Sequence, residues 1–165
     1  MTLSARIPES LASATGMITI DLGRIKENWK ALASKVVPAR CGAVVKANAY
    51  GLGADRVLPA LRNAGCTTFF IATPDEAEVS RKLLPDAEIY ALDGLVGNAA
   101  SGLARLGVKP VLSTLDDVVA WSALCRARGE RLPAALHIDT GLNRLGLPNR
   151  DVRRRIDEPT MMAGI

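Results

Sequence analysis

Two short stretches hold residue types that could do chemistry. The first is AVVKANAYGLGADRV, residues 43–57, in which Lys46 directly follows an apolar run. The run CGAVVK (41–46) has the length and composition of a buried strand, so Lys46 sits at that strand's C-terminal end. In parallel α/β folds, ligands and catalytic groups collect at that end. Apolar neighbours desolvate an ammonium group, and a lysine so placed is a nucleophile toward carbonyls that can hold a Schiff base. Ala47, Asn48 and Ala49 leave room for a flat ring, and Tyr50 offers a hydroxyl to a phosphate or to the lysine. Gly51 and Gly53 permit close backbone approach. The same residues also read as a solvated loop with a surface lysine, and on their own they leave both readings open. GLG lacks the GxGxxG pattern and no GKS or GKT occurs, so neither a dinucleotide fold nor a P-loop is supported.

The second stretch is HIDTGLNRLG, residues 137–146. The guanidinium of Arg144 is a planar fork that can donate two bonds to a carboxylate. Taken alone, it equally reads as one side of a loop salt bridge. His137 is the single histidine of the chain, so no metal site built on histidine is expected. Packing at a strand end is its simplest role.

Strands and helices alternate around these stretches. Apolar runs at 17–22, 41–46, 67–72, 87–92, 109–113 and 132–139 read as strands. Between them, 23–36, 54–65, 73–84, 97–107 and 114–129 read as helices. Thr73 and Thr114 (or Ser113) stand at cap positions with acids behind them, and Gly65 is a stop. Pro59 marks a place where the second helix could begin. Five consecutive β/α units with unbroken apolar strands predict a parallel sheet covered by helices. An open doubly wound sheet and part of a (β/α)8 barrel both fit. A complete barrel needs about 250 residues, more than this chain has. No internal repeat beyond the strand–helix rhythm is evident.

The chain has 165 residues, 48% hydrophobic and 23% charged, the composition of a globular protein. It can bury roughly two-thirds of its unfolded surface. Its net charge of +4 is small and spread out. The arginines at 150, 153, 154 and 155 read as a solvated face, and no aromatic interleaves with them, so no nucleic-acid partner is expected. Cys41, Cys66 and Cys125 are odd in number, far apart and without a CxxC, which favours reduced, buried thiols and a cytoplasmic location over disulfides or zinc. No apolar stretch approaches a membrane span. The opening MTLSARIPESLASATG lacks the apolar core of a secretory signal, and residues 1–16 read as a loose extension.

VVKANAYGLGA resembles the cofactor-lysine motif of alanine racemases, pyridoxal-phosphate enzymes of fold type III. HIDTGLNRLG is similar to the family's DTGMxRLG segment after the fifth strand, and ATPDEA and KPVLST lie where the family has like stretches. The similarity runs in order over roughly residues 17 to 147. It implies a partial (β/α)8 barrel over residues 17–165, about five β/α units, without the C-terminal β-domain. It implies that Lys46 binds pyridoxal 5'-phosphate covalently and serves as one of two racemisation bases. Tyr50 then contacts the cofactor phosphate, and Arg144 lies near the cofactor's phenolic oxygen and the substrate carboxylate. Alanine as substrate, D-alanine supply for cell-wall precursors and a homodimer are further implications. The family's opposing tyrosine, ring-stacking histidine and arginine at the pyridine nitrogen fall outside the matched region. The chain is therefore expected to be a truncated N-terminal portion without a complete site. His137 stands where some members carry a carbon-dioxide-modified lysine, a modification histidine cannot bear, and Leu52 stands where many have histidine. Two alternatives remain: a pyridoxal-phosphate carrier barrel without racemase activity, and a remnant without function.

Overall fold

The computed structural model describes residues 15–157. Its five strands are β1 (Ala43–Val44), β2 (Thr68–Ile71), β3 (Glu88–Ala91), β4 (Lys109–Leu112) and β5 (Ala135–Leu136). They form one parallel sheet in the order β1-β2-β3-β4-β5, each strand pairing with its predecessor. The helices are α1 (Leu22–Lys35), α2 (Lys46–Tyr50), α3 (Ala54–Asn63), α4 (Pro74–Leu83), α5 (Ala99–Arg105), α6 (Leu115–Arg128) and α7 (Asn149–Asp157). The sequential order, with a helix on each crossover, is that of a partial (β/α)8 barrel and not of a doubly wound sheet, whose order reverses at a switch point.

Strand residues alternate between two environments, as the period of two requires. Ala43, Val45, Phe69, Ile71, Ile89 and Ala91 are buried against Leu58, Leu61, Ala77 and Leu103 of the helices. Leu112 joins Val118, Trp121 and Cys125 of α6 and Leu147 in a second cluster. The alternate residues Val44, Phe70, Tyr90 and Val111 face away from the helices and stay exposed or half-buried. Arg81 ties two units together: its guanidinium donates to the carbonyls of Leu84, Pro85 and Ala87 after α4 and to those of Leu106 and Gly107 after α5. These carbonyls belong to the C-caps Leu84 and Leu106 and to the turns that follow them, where no helix or strand ladder supplies a donor.

Three expectations need correction. Residues 17–22 do not form a strand. Met17, Ile18 and Ile20 are exposed and have no pairing neighbour, and the Asp21 side chain accepts from the amides of Gly23 and Arg24, starting α1 at Leu22. A β-branched run needs a neighbouring strand to become one. Helix α3 begins at Ala54, not at Pro59, because Asn48 Oδ1 accepts the Ala54 amide at 2.7 Å and supplies the cap. Pro59 lies inside the helix. The chain also holds a short recurrence beyond the strand–helix rhythm. Ala72-Thr73-Pro74-Asp75-Glu76 and Ser113-Thr114-Leu115-Asp116-Asp117 build two capping boxes of the same design. The basic cluster falls on α7, where Arg150 and Arg153 are exposed. Residues 1–14 of the expected N-terminal extension and the segment 158–165 lie outside the described residues.

Candidate active site

Lys46 is the first residue beyond β1 and its ladder: the amide of Val45 donates to the Phe70 carbonyl at 2.8 Å, and the chain then turns away. The turn is α2, and it is left-handed. Ala47, Asn48, Ala49 and Tyr50 all have φ between 52° and 56°. For L-residues this conformation costs about 1–2 kcal/mol each, since Cβ crowds the following carbonyl. Four in succession make a strained element of the kind that marks functional sites. The turn closes on itself through Ala49 N–H to the Val45 carbonyl (2.9 Å) and Gly51 N–H to the Ala47 carbonyl (2.9 Å). Gly51 and Gly53 follow with φ of 81° and 93°, the backbone freedom that only glycine has cheaply.

Three anchors hold this strained turn in place. Ala49 is 2% exposed and packs into the main core. Asn48, a residue type that tolerates the left-handed region, caps α3. Glu76, in the first turn of α4, accepts the Ala47 amide at 2.6 Å. Lys46 itself is half-buried, and Tyr50, at 61% exposed, opens to solvent. Among the described residues the Lys46 ammonium makes no hydrogen bond or ion pair.

Arg144 lies on the loop after β5, at the same C-terminal end of the sheet but beyond the opposite edge strand. Asp139 shapes that loop. Its Oδ1 accepts the amides of Gly141 and Asn143, both at 3.0 Å, and these bonds hold its carboxyl below the usual range. Asn143 takes φ of 55°, and Gly146, at 110°, lets the chain return so that Leu147 pairs with Ile138. Arg144 is exposed, and among the described residues no ion pair engages it. The structure thus brings Lys46 and Tyr50 together in one turn and leaves Arg144 across the rim, with no bond joining them.

His137 is tied into the end of β5. Its amide donates to the Leu112 carbonyl (2.9 Å), its carbonyl accepts from Leu147 (2.7 Å), and its Nδ1 lies 3.4 Å from Ser113 Oγ. It is fixed at the rim and engages a neighbouring strand's hydroxyl. Tyr90 faces the same side of the sheet, but its hydroxyl donates to Glu88 at 3.0 Å, toward the N-terminal end of the strands. That places it outside the lysine's end. Among the described residues no group of three or more His, Cys, Asp or Glu is arranged to hold a metal ion, and no helix is long and apolar enough to cross a membrane.

A parallel β/α sheet in sequential strand order, with a lysine on a strained turn at its C-terminal rim, defines a domain of the β/α-barrel class. The comparisons narrow the class. The alanine racemase N-terminal domain family matches residues 20–165, and the chain belongs to that family. Its sequence is 52% identical over 130 residues to the alanine racemase of Methylobacterium sp. strain 4-46, covering 79% of this chain and 36% of that protein. The fold superposes on alanine racemase from Bartonella henselae, which carries covalently bound pyridoxal phosphate, with a TM-score of 0.84 and 39% identity over 88% of this chain and 42% of the other. Histidine racemase from Leuconostoc mesenteroides subsp. sake is similar at a TM-score of 0.76 and 28% identity, over 87% of this chain and 39% of that one. The chain spans 35–39% of the length of its Methylobacterium and Brucella relatives.

Glu76 is the residue that sequence reasoning passed over as part of the site. Its signal was present: Thr73-x-x-Glu76 is a capping box. Nothing in the linear pattern discloses that its second oxygen reaches another unit.

Proposed function

We propose that this chain provides the lysine side of a pyridoxal-phosphate-dependent amino-acid racemase site, with alanine as the substrate. The observation that carries this reading is the unengaged Lys46 amine at the rim on its strained turn. The local chemistry fits the cofactor: a primary amine for its aldehyde, and the Tyr50 hydroxyl and the Arg144 guanidinium both left without protein partners among the described residues. Pyridoxal phosphate, when bound, draws electron density from the substrate's α-carbon and makes its hydrogen acidic.

The chain's own residues do the rest. Lys46 holds the cofactor and moves a proton at one face of the α-carbon. Tyr50 donates to the phosphate, a role its exposure permits. Arg144 neutralises a carboxylate or phenolate from the far side of the rim. The acid for the opposite face is not assigned to a described residue, since Tyr90 is committed to Glu88. The likeness to a histidine racemase supports reading this part of the fold as common to more than one substrate side chain. Alanine is favoured by the relatives' names, and a homodimeric assembly belongs to the same proposal.

Borohydride trapping tests it. The chain is incubated with pyridoxal phosphate, reduced and digested, and the labelled lysine is located by mass. Label concentrated on Lys46, over Lys26, Lys30, Lys35, Lys82 and Lys109, is the expected outcome. Label spread evenly over exposed lysines would sink the proposal.

A further inference from the structure

The two capping boxes share more than their caps. In α6, Thr114 Oγ1 accepts the Asp117 amide, and Asp117 Oδ2 accepts the amides of Ser113 and Thr114 at 3.0 and 3.1 Å. The other oxygen, Oδ1, leaves the unit and accepts the Leu95 amide at 3.3 Å, in the loop that follows β3. In α4, Thr73 Oγ1 accepts the Glu76 amide, and Glu76 Oε2 accepts the amides of Ala72 and Thr73 at 2.7 and 3.4 Å. Its Oε1 likewise leaves the unit and accepts the Ala47 amide at 2.6 Å. Each carboxylate therefore clamps its own strand end with one oxygen and the loop of the preceding unit with the other.

The two clamps differ in what they hold. Asp117 holds a loop with glycine freedom, next to Gly94 at φ 72°. Glu76 holds the first residue of the left-handed turn, immediately after Lys46. Behind that turn Val45, Asn48, Ala54, Glu76, Val79 and Ser80 line a cleft of ≈ 220 Å³, so side-chain packing alone does not fix it there. An ionised carboxylate on a backbone amide is a strong, directional substitute for packing.

We propose that Glu76 is a positioning residue for the cofactor lysine: by fixing the Ala47 amide it sets the left-handed turn, and with it the direction in which Lys46 leaves the rim. The inference rests on the reading of Lys46 as the cofactor lysine. In this role Glu76 acts on Lys46 through the backbone amide of the next residue, Ala47.

The test uses the 165-residue chain with pyridoxal phosphate as the probe. The label trapped at Lys46 is read as a share of all lysine label. Exchange of the Ala47 amide with deuterium and the melting temperature are read beside it. Glu76→Asp shortens the arm while keeping a cap of the kind Asp117 makes. Glu76→Gln keeps the length but removes the charge. Both variants are expected to lower Lys46's share about tenfold and to speed Ala47 exchange by a similar factor, the loss due to one charge-assisted hydrogen bond. Thr73→Ala removes the cap hydroxyl and leaves the carboxylate. It is expected to lower the melting temperature and leave Lys46's share where it was. A folded Glu76→Asp or Glu76→Gln with an unchanged share would overturn the inference, as would a Thr73→Ala that lowers the share equally. An unlabelled Lys46 in the unsubstituted chain would overturn the cofactor reading itself, which is a different result.

Discussion

The inner face of the sheet carries a polar cluster that serves no reaction at the rim. Glu88, at the N-terminal end of β3, accepts from Tyr90 Oη at 3.0 Å, from Thr68 Oγ1 at 3.2 Å and from Lys109 Nζ, and pairs with Arg40 at 3.2 Å. The hydrogen bond from Lys109 is the main reason its carboxyl is held down at about 2; the Tyr90 and Thr68 bonds add to it against the opposing cost of burial. Lys109 responds in kind, its ammonium pushed above its ordinary value by the same bond. Because the folded carboxyl titrates below its ordinary value, ionised Glu88 favours the fold. That contribution is complete above about pH 4.5 and fades as the pH falls toward about 2. For this partly exposed group it amounts to something on the order of 1 kcal/mol. Urea midpoints measured from pH 6 down to pH 2 should fall more steeply for the unsubstituted chain than for Glu88→Gln. Parallel curves would show that the cluster contributes nothing to acid sensitivity. In barrels, polar groups at this end of the strands serve stability, and those at the other end serve chemistry.

At the scale of elements, the loop after β5 depends on one glycine. A Cβ on Gly146 would lie 2.7 Å from the Asp139 amide nitrogen and 3.1 Å from the Ile138 carbonyl carbon, at a φ of 110°. Gly146→Ala is therefore expected to cost about 1–3 kcal/mol from the backbone alone, with the clash added. It should also loosen the paired bonds Asp139 N–H to the Leu147 carbonyl and Leu147 N–H to the His137 carbonyl. Thermal melting checks the first effect, and amide exchange at Leu147 checks the second. A Gly146→Ala variant as stable as its parent would contradict this account of the loop. Most helices were legible in the sequence because their ends are written in local chemistry: Thr73 and Thr114 at the caps with acids behind them, and Gly65 after α3. The strand at 17–22 was misread because strand identity lies in the neighbour and Ile18 has none. The handedness of α2 was hidden for a similar reason. KANAY read alone favours a right-handed turn, and the bonds that oppose it come from Asn48 to α3 and from Glu76 across 29 residues. Motif residues Lys46, Tyr50 and Arg144 could be named from the sequence, but the bond from the Ala47 amide to Glu76 could not.

At the scale of the whole molecule, the sheet formed by the described residues is open. Among the described residues β1 and β5 have one partner strand each, and Val44 and Leu136 stand 47% and 40% exposed on them. Unpaired edges with apolar side chains invite pairing with another chain. The 165-residue chain is expected to self-associate at micromolar concentration in sedimentation velocity, and Leu136→Lys, which places a charge on an edge, should shift it toward monomer. A monomer at all concentrations would count against edge exposure as the cause. The order β1-β2-β3-β4-β5 carries a consequence for how the chain is made. Each strand after β1 pairs with the one synthesised before it, so a ribosome can lay these five strands down unit by unit. The lysine turn is an exception to that schedule. It emerges early, and its bond to Glu76 forms only after α4 follows it out of the exit tunnel, so a nascent chain stalled before α4 would hold the Lys46 turn without that anchor, by Asn48 on α3 and its own bonds.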